Sequence, residues 1–237
     1  MGILMATRSN DGNSLVHQAV QTVREYIKSN DLKVGDTLPG EGYFAGSLGV
    51  SRPVVREAFG ALAALKLIDV ANGRRAKVGA IDGSVMATSL EHAVSTSQVS
   101  VREVWDVRRT LELRTAELAA IHRTDAQAAE ICRLAEGIAE AGEDIDLRTQ
   151  YDLDFHRTIA LASHNNLFLQ IVRAFAPMME IAIPAAWHTR QAEEERQRIL
   201  QLHHLLAKAI ADREPQTARA AMDAHFDASI RDQLAAS

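Results

Sequence analysis

The chain has 237 residues, of which 47% are apolar, 24% charged and only 5% aromatic, with a formal net charge of -5. That length suits two compact domains, and the abundance of Ala, Leu, Glu and Arg favours a mainly α protein. The single cysteine, Cys132, excludes an intrachain disulfide and a thiolate zinc cluster, and is the pattern of a reducing, cytoplasmic compartment.

Residues 1–10 hold a short apolar patch, Ile3, Leu4 and Met5, without the long apolar run of a signal peptide. No later stretch reads as the roughly 20 apolar residues of a membrane span, so no membrane association is expected. The net charge hides an asymmetry. Residues 1–80 carry ten basic and seven acidic side chains, whereas residues 81–237 carry sixteen and twenty-four. The basic part is the one suited to phosphates.

Val16, Val20, Val23 and Ile27 define one face of a first helix, broken by Asn30 to Gly35. A short second helix is expected over Glu41 to Leu48, after Pro39 and with Gly49 able to take positive φ at its end. Ser51 offers an N-cap hydroxyl and Pro53 an early-turn φ to a third helix running to about Leu65, with Val55, Phe59, Leu62 and Leu65 facing inward. Arg52, Arg56 and Gly60 lie on its opposite face, so two guanidinium groups point the same way. Leu67–Val70 and Lys77–Ile81 read as short strands around a basic tip, Asn72-Gly73-Arg74-Arg75. Arginines at the start of an exposed helix suit base-edge and phosphate contacts in a major groove.

Leu38-Pro39-Gly40-Glu41 followed by Leu48-Gly49-Val50-Ser51-Arg52-Pro53-Val54-Val55-Arg56-Glu57-Ala58 resembles the winged helix-turn-helix of GntR-type regulators. The resemblance spans about residues 15–80 and implies double-stranded DNA as partner. It implies contacts from Arg52 and Arg56, and a wing tip at Gly73 near the minor groove; Ser51, Arg74 and Arg75 complete the DNA-facing set. Gly42, Lys66 and Arg75 depart from the family pattern, which has arginine, glycine and glycine there. Operator preference is therefore expected to differ.

The expected domains are 1–80, a linker over 81–98 with a brief helix near Met86 to Val94, and a helical domain over 99–237. Six helices follow, about 101–121, 125–141, 146–163, 166–186, 191–212 and 215–234. Several polar residues fall on stripes that should be apolar. Asp152 and His156 share an inward face with Phe155 and Ile159, His203 sits among Ile199, Leu206 and Ile210, and His225 among Ala218, Ala221 and Met222. Buried unpaired, these groups would destabilise the fold by several kcal/mol. A divalent cation, zinc, nickel or manganese, satisfies all four. The other six histidines, His17, His92, His122, His164, His188 and His204, are expected at the surface or as local hydrogen bonders. Arg108 also lies on an inner stripe, paired either with Glu112 one turn on or with a bound carboxylate.

Val107-Arg108-Arg109-Thr110-Leu111-Glu112, the Asp152/His156 pair, Ser163-His164-Asn165, and His203 with His225 are similar to the FCD ligand-binding domain of FadR-like GntR regulators, over about 99–232. The resemblance implies a six- or seven-helix bundle, usually a homodimer, with a metal held by Asp152, His156, His203 and His225. It also implies a small organic or sugar acid meeting Arg108 and Asn165. His164 stands where glycine is usual. The expected function is a repressor released from a palindromic operator by such an acid. The alternatives are a regulator responding to metal alone and a metal-dependent hydrolase; the second lacks a nucleophile or general base beyond the ligands, so no catalytic residue is assigned.

Overall fold

The computed structural model describes residues 8–189 and 192–235, with side-chain surroundings from 14 onward and up to 229. The apolar patch at residues 3–5 and the expected helix start at 191 lie outside the described residues. The chain divides into two units at Asp82 and Gly83.

The first unit contains α1 (Arg8–Ser29), α2 (Glu41–Leu48), α3 (Arg52–Ala64), β1 (Ile68–Asp69) and β2 (Lys77–Val78). Its core joins Val23, Leu38, Phe44, Val55, Phe59, Leu62 and Ile68. Phe44 meets Tyr26 and Phe59 edge to face, which fixes α2 between α1 and α3. Gly49 ends α2 at φ 65°, as its position between the helices requires. Ser51 occupies the N-cap of α3 but its hydroxyl makes no capping bond. Pro53, at the second helical position, has no N–H to offer, and the Val54 N–H goes to the Ser51 carbonyl at 3.1 Å.

Leu65 was expected on the inner stripe and is instead 52% exposed, because α3 stops at Ala64 and the chain turns through Lys66 at φ 57°. Lys66 thus adopts the left-handed conformation that glycine favours. The turn is tight: a Cβ on Gly79 would lie 2.3 Å from the Lys66 carbonyl oxygen. That crossing also trims the strands. Only Ile68 with Val78 and Asp69 with Lys77 pair, antiparallel. The segment before α2 supplies the remaining partners, with Leu38 N–H donating to Ala76 O at 2.8 Å and Val78 N–H to Asp36 O at 2.9 Å.

The second unit contains α4 (Gly83–Ser95), α5 (Val101–His122), α6 (Asp125–Glu140), α7 (Ile145–Ala162), α8 (Asn166–Thr189), α9 (Glu193–Ala211) and α10 (Pro215–Ala235). Capping boxes open α5 at Ser100 and Glu103 and α6 at Thr124 and Gln127, and the Asp144 side chain caps α7. Trp105, Leu113, Ile131, Phe155, Ile159, Phe175, Leu206 and Phe226 belong to one core. His164 takes φ 55° between α7 and α8, the conformation a glycine would adopt most easily.

The span expected as linker, 81–98, is mostly α4, a full helix of this unit packed on α8. Its Ser- and Thr-rich sequence is a poor guide because tertiary contact holds it. The Gly83 N–H donates to the Gln170 side chain at 3.0 Å, and a Cβ there would lie 2.4 Å from the Gln170 carbonyl oxygen. By length and composition α8 could cross a membrane, at a mean hydropathy of 1.4, which corrects the expectation that no stretch approaches this. In this fold its apolar face, with Val172, Ala174, Phe175 and Met179 buried, belongs to a helical bundle.

Candidate nucleic-acid interface and metal centre

The α2 to α3 turn and the wing bring the basic residues of the first unit to its surface. Arg52, Arg56 and Gly60 are exposed along one face of α3, opposite Val55, Phe59 and Leu62. Arg56 reaches back to α2, its Nε donating to Glu41 Oε2 at 3.3 Å. The Arg52 guanidinium lies over Gly42, where a Cβ would stand 3.2 Å from Nη2. At the wing tip Gly73 has φ 71°, and Arg74 and Arg75 are exposed beside it. Ser51 is exposed at the N-terminal end of α3. An exposed helix start flanked by a basic hairpin can meet phosphates and base edges together.

In the second unit the polar residues read from the stripes converge at one buried point. Asp152 and His156 come from α7, His203 from α9 and His225 from α10, with imidazole centroids 4.5 Å apart for His203 and His225 and 5.1 Å for His156 and His225. One ligand atom from each imidazole lies within 4.8 Å of the others. The other six histidines are all exposed.

The hydrogen bonds around the cluster fix which ring atoms face inward. His203 Nδ1 meets the Ile199 carbonyl at 2.9 Å, and a carbonyl only accepts, so Nδ1 carries the hydrogen. In the neutral imidazole Nε2 is then a bare lone pair, and it faces Asp152 Oδ2 at 3.2 Å. His156 turns Nδ1 to Glu112 Oε2. Its Nε2, 3.7 Å from Asp152 Oδ1, has no hydrogen-bond partner among the described residues, and neither has His225 Nδ1.

Electrostatics keeps the charges separated. Burial opposes ionisation of Asp152, but the contact with His203 and the closeness of the His156 and His225 rings outweigh it and hold the carboxyl far below the usual range. For His225, burial comes first, then His203 and His156; together they push it well below the ordinary imidazole value against the pull of Asp152. A carboxylate beside inward-facing lone pairs, with two ring nitrogens orphaned, is a donor set that a divalent cation fits.

Arg108 and Glu112 sit beside this cluster on α5, 3% and 1% exposed. They form the intrahelical ion pair allowed by their spacing. Arg108 also meets Met179 Sδ and lies 5.2 Å and 5.4 Å from the Trp105 and Phe226 ring centroids. Glu112 bridges Arg108 and His156. Burial raises its pKa, but the Arg108 charge and then His156 prevail, and the carboxyl falls below its usual range. The link from Glu112 to His156 was not foreseen from the sequence. Its signal was the inward stripe that Glu112 shares with Arg108.

Two cavities adjoin the site. An inner one of about 30 Å³ is lined by Trp105, Arg108, Asp152, His203 and His225 among others. An outer one of about 450 Å³ between α7 and α8 is lined by Arg108, His156, Arg157, Arg173 and Met179 among others. Asn165, expected at the effector, lines neither. Its Oδ1 accepts from the Leu167 and Phe168 N–H groups at 3.0 and 3.4 Å, so it caps α8, and its side of the bundle borders a separate cavity with Gln127 and Leu161.

A basic winged helix-turn-helix joined in one chain to a helical domain with a buried polar site defines a DNA-binding transcription regulator rather than an enzyme. The family of bacterial regulatory proteins, gntR, matches residues 15–78, and the FCD domain matches residues 103–228. The chain belongs to the GntR family, in the branch that carries an FCD domain. It is 30% identical to the Glc operon transcriptional activator of Escherichia coli over 86% of this chain and 83% of that one. It is 29% identical to the transcriptional regulator LutR of Bacillus subtilis over 84% and 92%. The transcriptional repressor NanR of Salmonella newport is 27% identical over 87% and 80%. The fold is shared with a Streptococcus agalactiae GntR protein at a TM-score of 0.64 and 24% identity, covering 91% of this chain and 99% of that one.

Proposed function

We propose that this chain is a cytoplasmic repressor, a homodimer on a palindromic operator, that leaves DNA when a small organic acid binds beside a metal in the second unit. In this reading Asp152, His156, His203 and His225 hold the metal, zinc first, with nickel and manganese as the alternatives that the same donors suit. The metal supplies a Lewis-acid partner for a carboxylate oxygen, and Arg108 supplies the opposite charge. Glu112 keeps the Nδ1 hydrogen on His156, so that Nε2 stays available. Arg52, Arg56, Ser51, Gly73, Arg74 and Arg75 meet the operator. The Glu41 contact to Arg56 is an exposed pair of the kind a phosphate can replace.

The observation that carries the sensor half is the convergence of His156, His203 and His225 beside Asp152 and next to the Arg108 cavities. Asn165, which caps α8, has no part in the effector contact.

Fluorescence anisotropy of an operator duplex tests the whole reading. The metal-free chain is titrated with zinc and then with candidate acids. Weakened binding on adding an acid to the zinc-loaded protein is the expected result. A response to zinc alone, unaffected by any acid, would establish the metal-sensor alternative, and strengthened binding would overturn release by the acid.

A further inference from the structure

Trp105 lies one turn before Arg108 on α5 and is 6% exposed. Its ring packs edge to face on Phe226 at 5.7 Å, with the Arg108 guanidinium over it. The indole Nε1–H is buried and meets no acceptor among the described residues. A buried donor left unpaired costs about 1–3 kcal/mol, and phenylalanine would fill the same aromatic niche without it. The same side chain lines the inner cavity with Arg108, Asp152, His203, His225 and Ser229. At about 30 Å³ that cavity holds little more than one or two waters, or the oxygens of one compact head group.

A carboxylate has about four lone-pair sites, more than one arginine and one metal contact would use. An indole can only donate. We infer that Trp105 is a recognition residue of the effector site, donating its indole N–H to an oxygen of the acid's head group in the inner cavity. This rests on the acid effector proposed above. It narrows the ligand to acids with a compact, unbranched head, whose remainder has room in the outer cavity of about 450 Å³ that Arg108 also lines.

The test uses the zinc-loaded full chain, sodium acetate and sodium butyrate as probes, and the variant Trp105→Phe. Calorimetry should show acid Kd raised about tenfold in the variant, the loss expected for one hydrogen bond to a charged group. Zinc content should be unchanged. In wild-type protein labelled with ¹⁵N at the indoles, acid should move the Trp105 resonance, assigned by comparison with Trp187→Phe, even if Trp105→Phe folds poorly. Equal acid affinity in a folded Trp105→Phe, or an unmoved Trp105 resonance while acid binds, overturns the Trp105 assignment alone. If neither acetate, butyrate nor longer acids bind the wild-type zinc form, the effector reading fails and this inference fails with it.

Discussion

Arg52 and Arg56 on α3 stand at the surface, and neither supports the core of its unit. Arg108 and Glu112 on α5 are buried, and each holds a neighbour in place, Arg108 through Glu112 and Glu112 through His156. One unit keeps the charges proposed for its function where folding does not need them, whereas the other has built them into its interior. Removing a side chain should therefore affect binding alone in the first unit and folding together with binding in the second.

The largest expected effect is Glu112→Ala, which strands a buried guanidinium. A loss of about 3–5 kcal/mol in urea unfolding is expected, and a loss under about 1 kcal/mol would show that Arg108 escapes to water and would break the contrast. Next, zinc at a hundred times its Kd should add about 2.7 kcal/mol to the unfolding free energy, a gain reversed by chelation and absent in His203→Ala. An equal gain in His203→Ala would remove His203 from the ligand set.

Arg52→Ala should weaken specific operator binding by about 1–3 kcal/mol, read by anisotropy, with the circular dichroism and unfolding midpoint of wild type. A lowered midpoint would mean that the surface charges of the first unit are structural after all. Smallest is Glu41→Ala, which should change stability by no more than about 1 kcal/mol because its partner Arg56 is exposed.

The same contrast governs what the sequence revealed. The helices of the bundle and the inward Asp152, His156, His203 and His225 were legible because a polar residue on a 3.6-residue apolar stripe is conspicuous. Arg52 and Arg56 were legible from local spacing and the Ser-Arg-Pro helix start. What escaped depends on residues distant in sequence. Gly83 needs Gln170 to explain α4, and the wing is shortened by Gly79 crossing Lys66 and by Leu38 bonding Ala76. Asn165 is the local exception: it read as a ligand contact by resemblance, but the N–H groups two and three residues on use its Oδ1 to cap α8. The Glu112 contact to His156 joins residues 44 positions apart, beyond the reach of helical periodicity.

Glu112 is one carboxylate shared by two clients. A ligand that draws Arg108 away from it alters the charge His156 meets, and an ion that draws on His156 alters the grip on Arg108. For the proposed acid and metal this sharing closes a thermodynamic cycle: whatever factor the metal adds to acid affinity, the acid must return to metal affinity, equal in size. Two titrations in the absence of DNA, metal with and without acid and the reverse, would measure that factor twice.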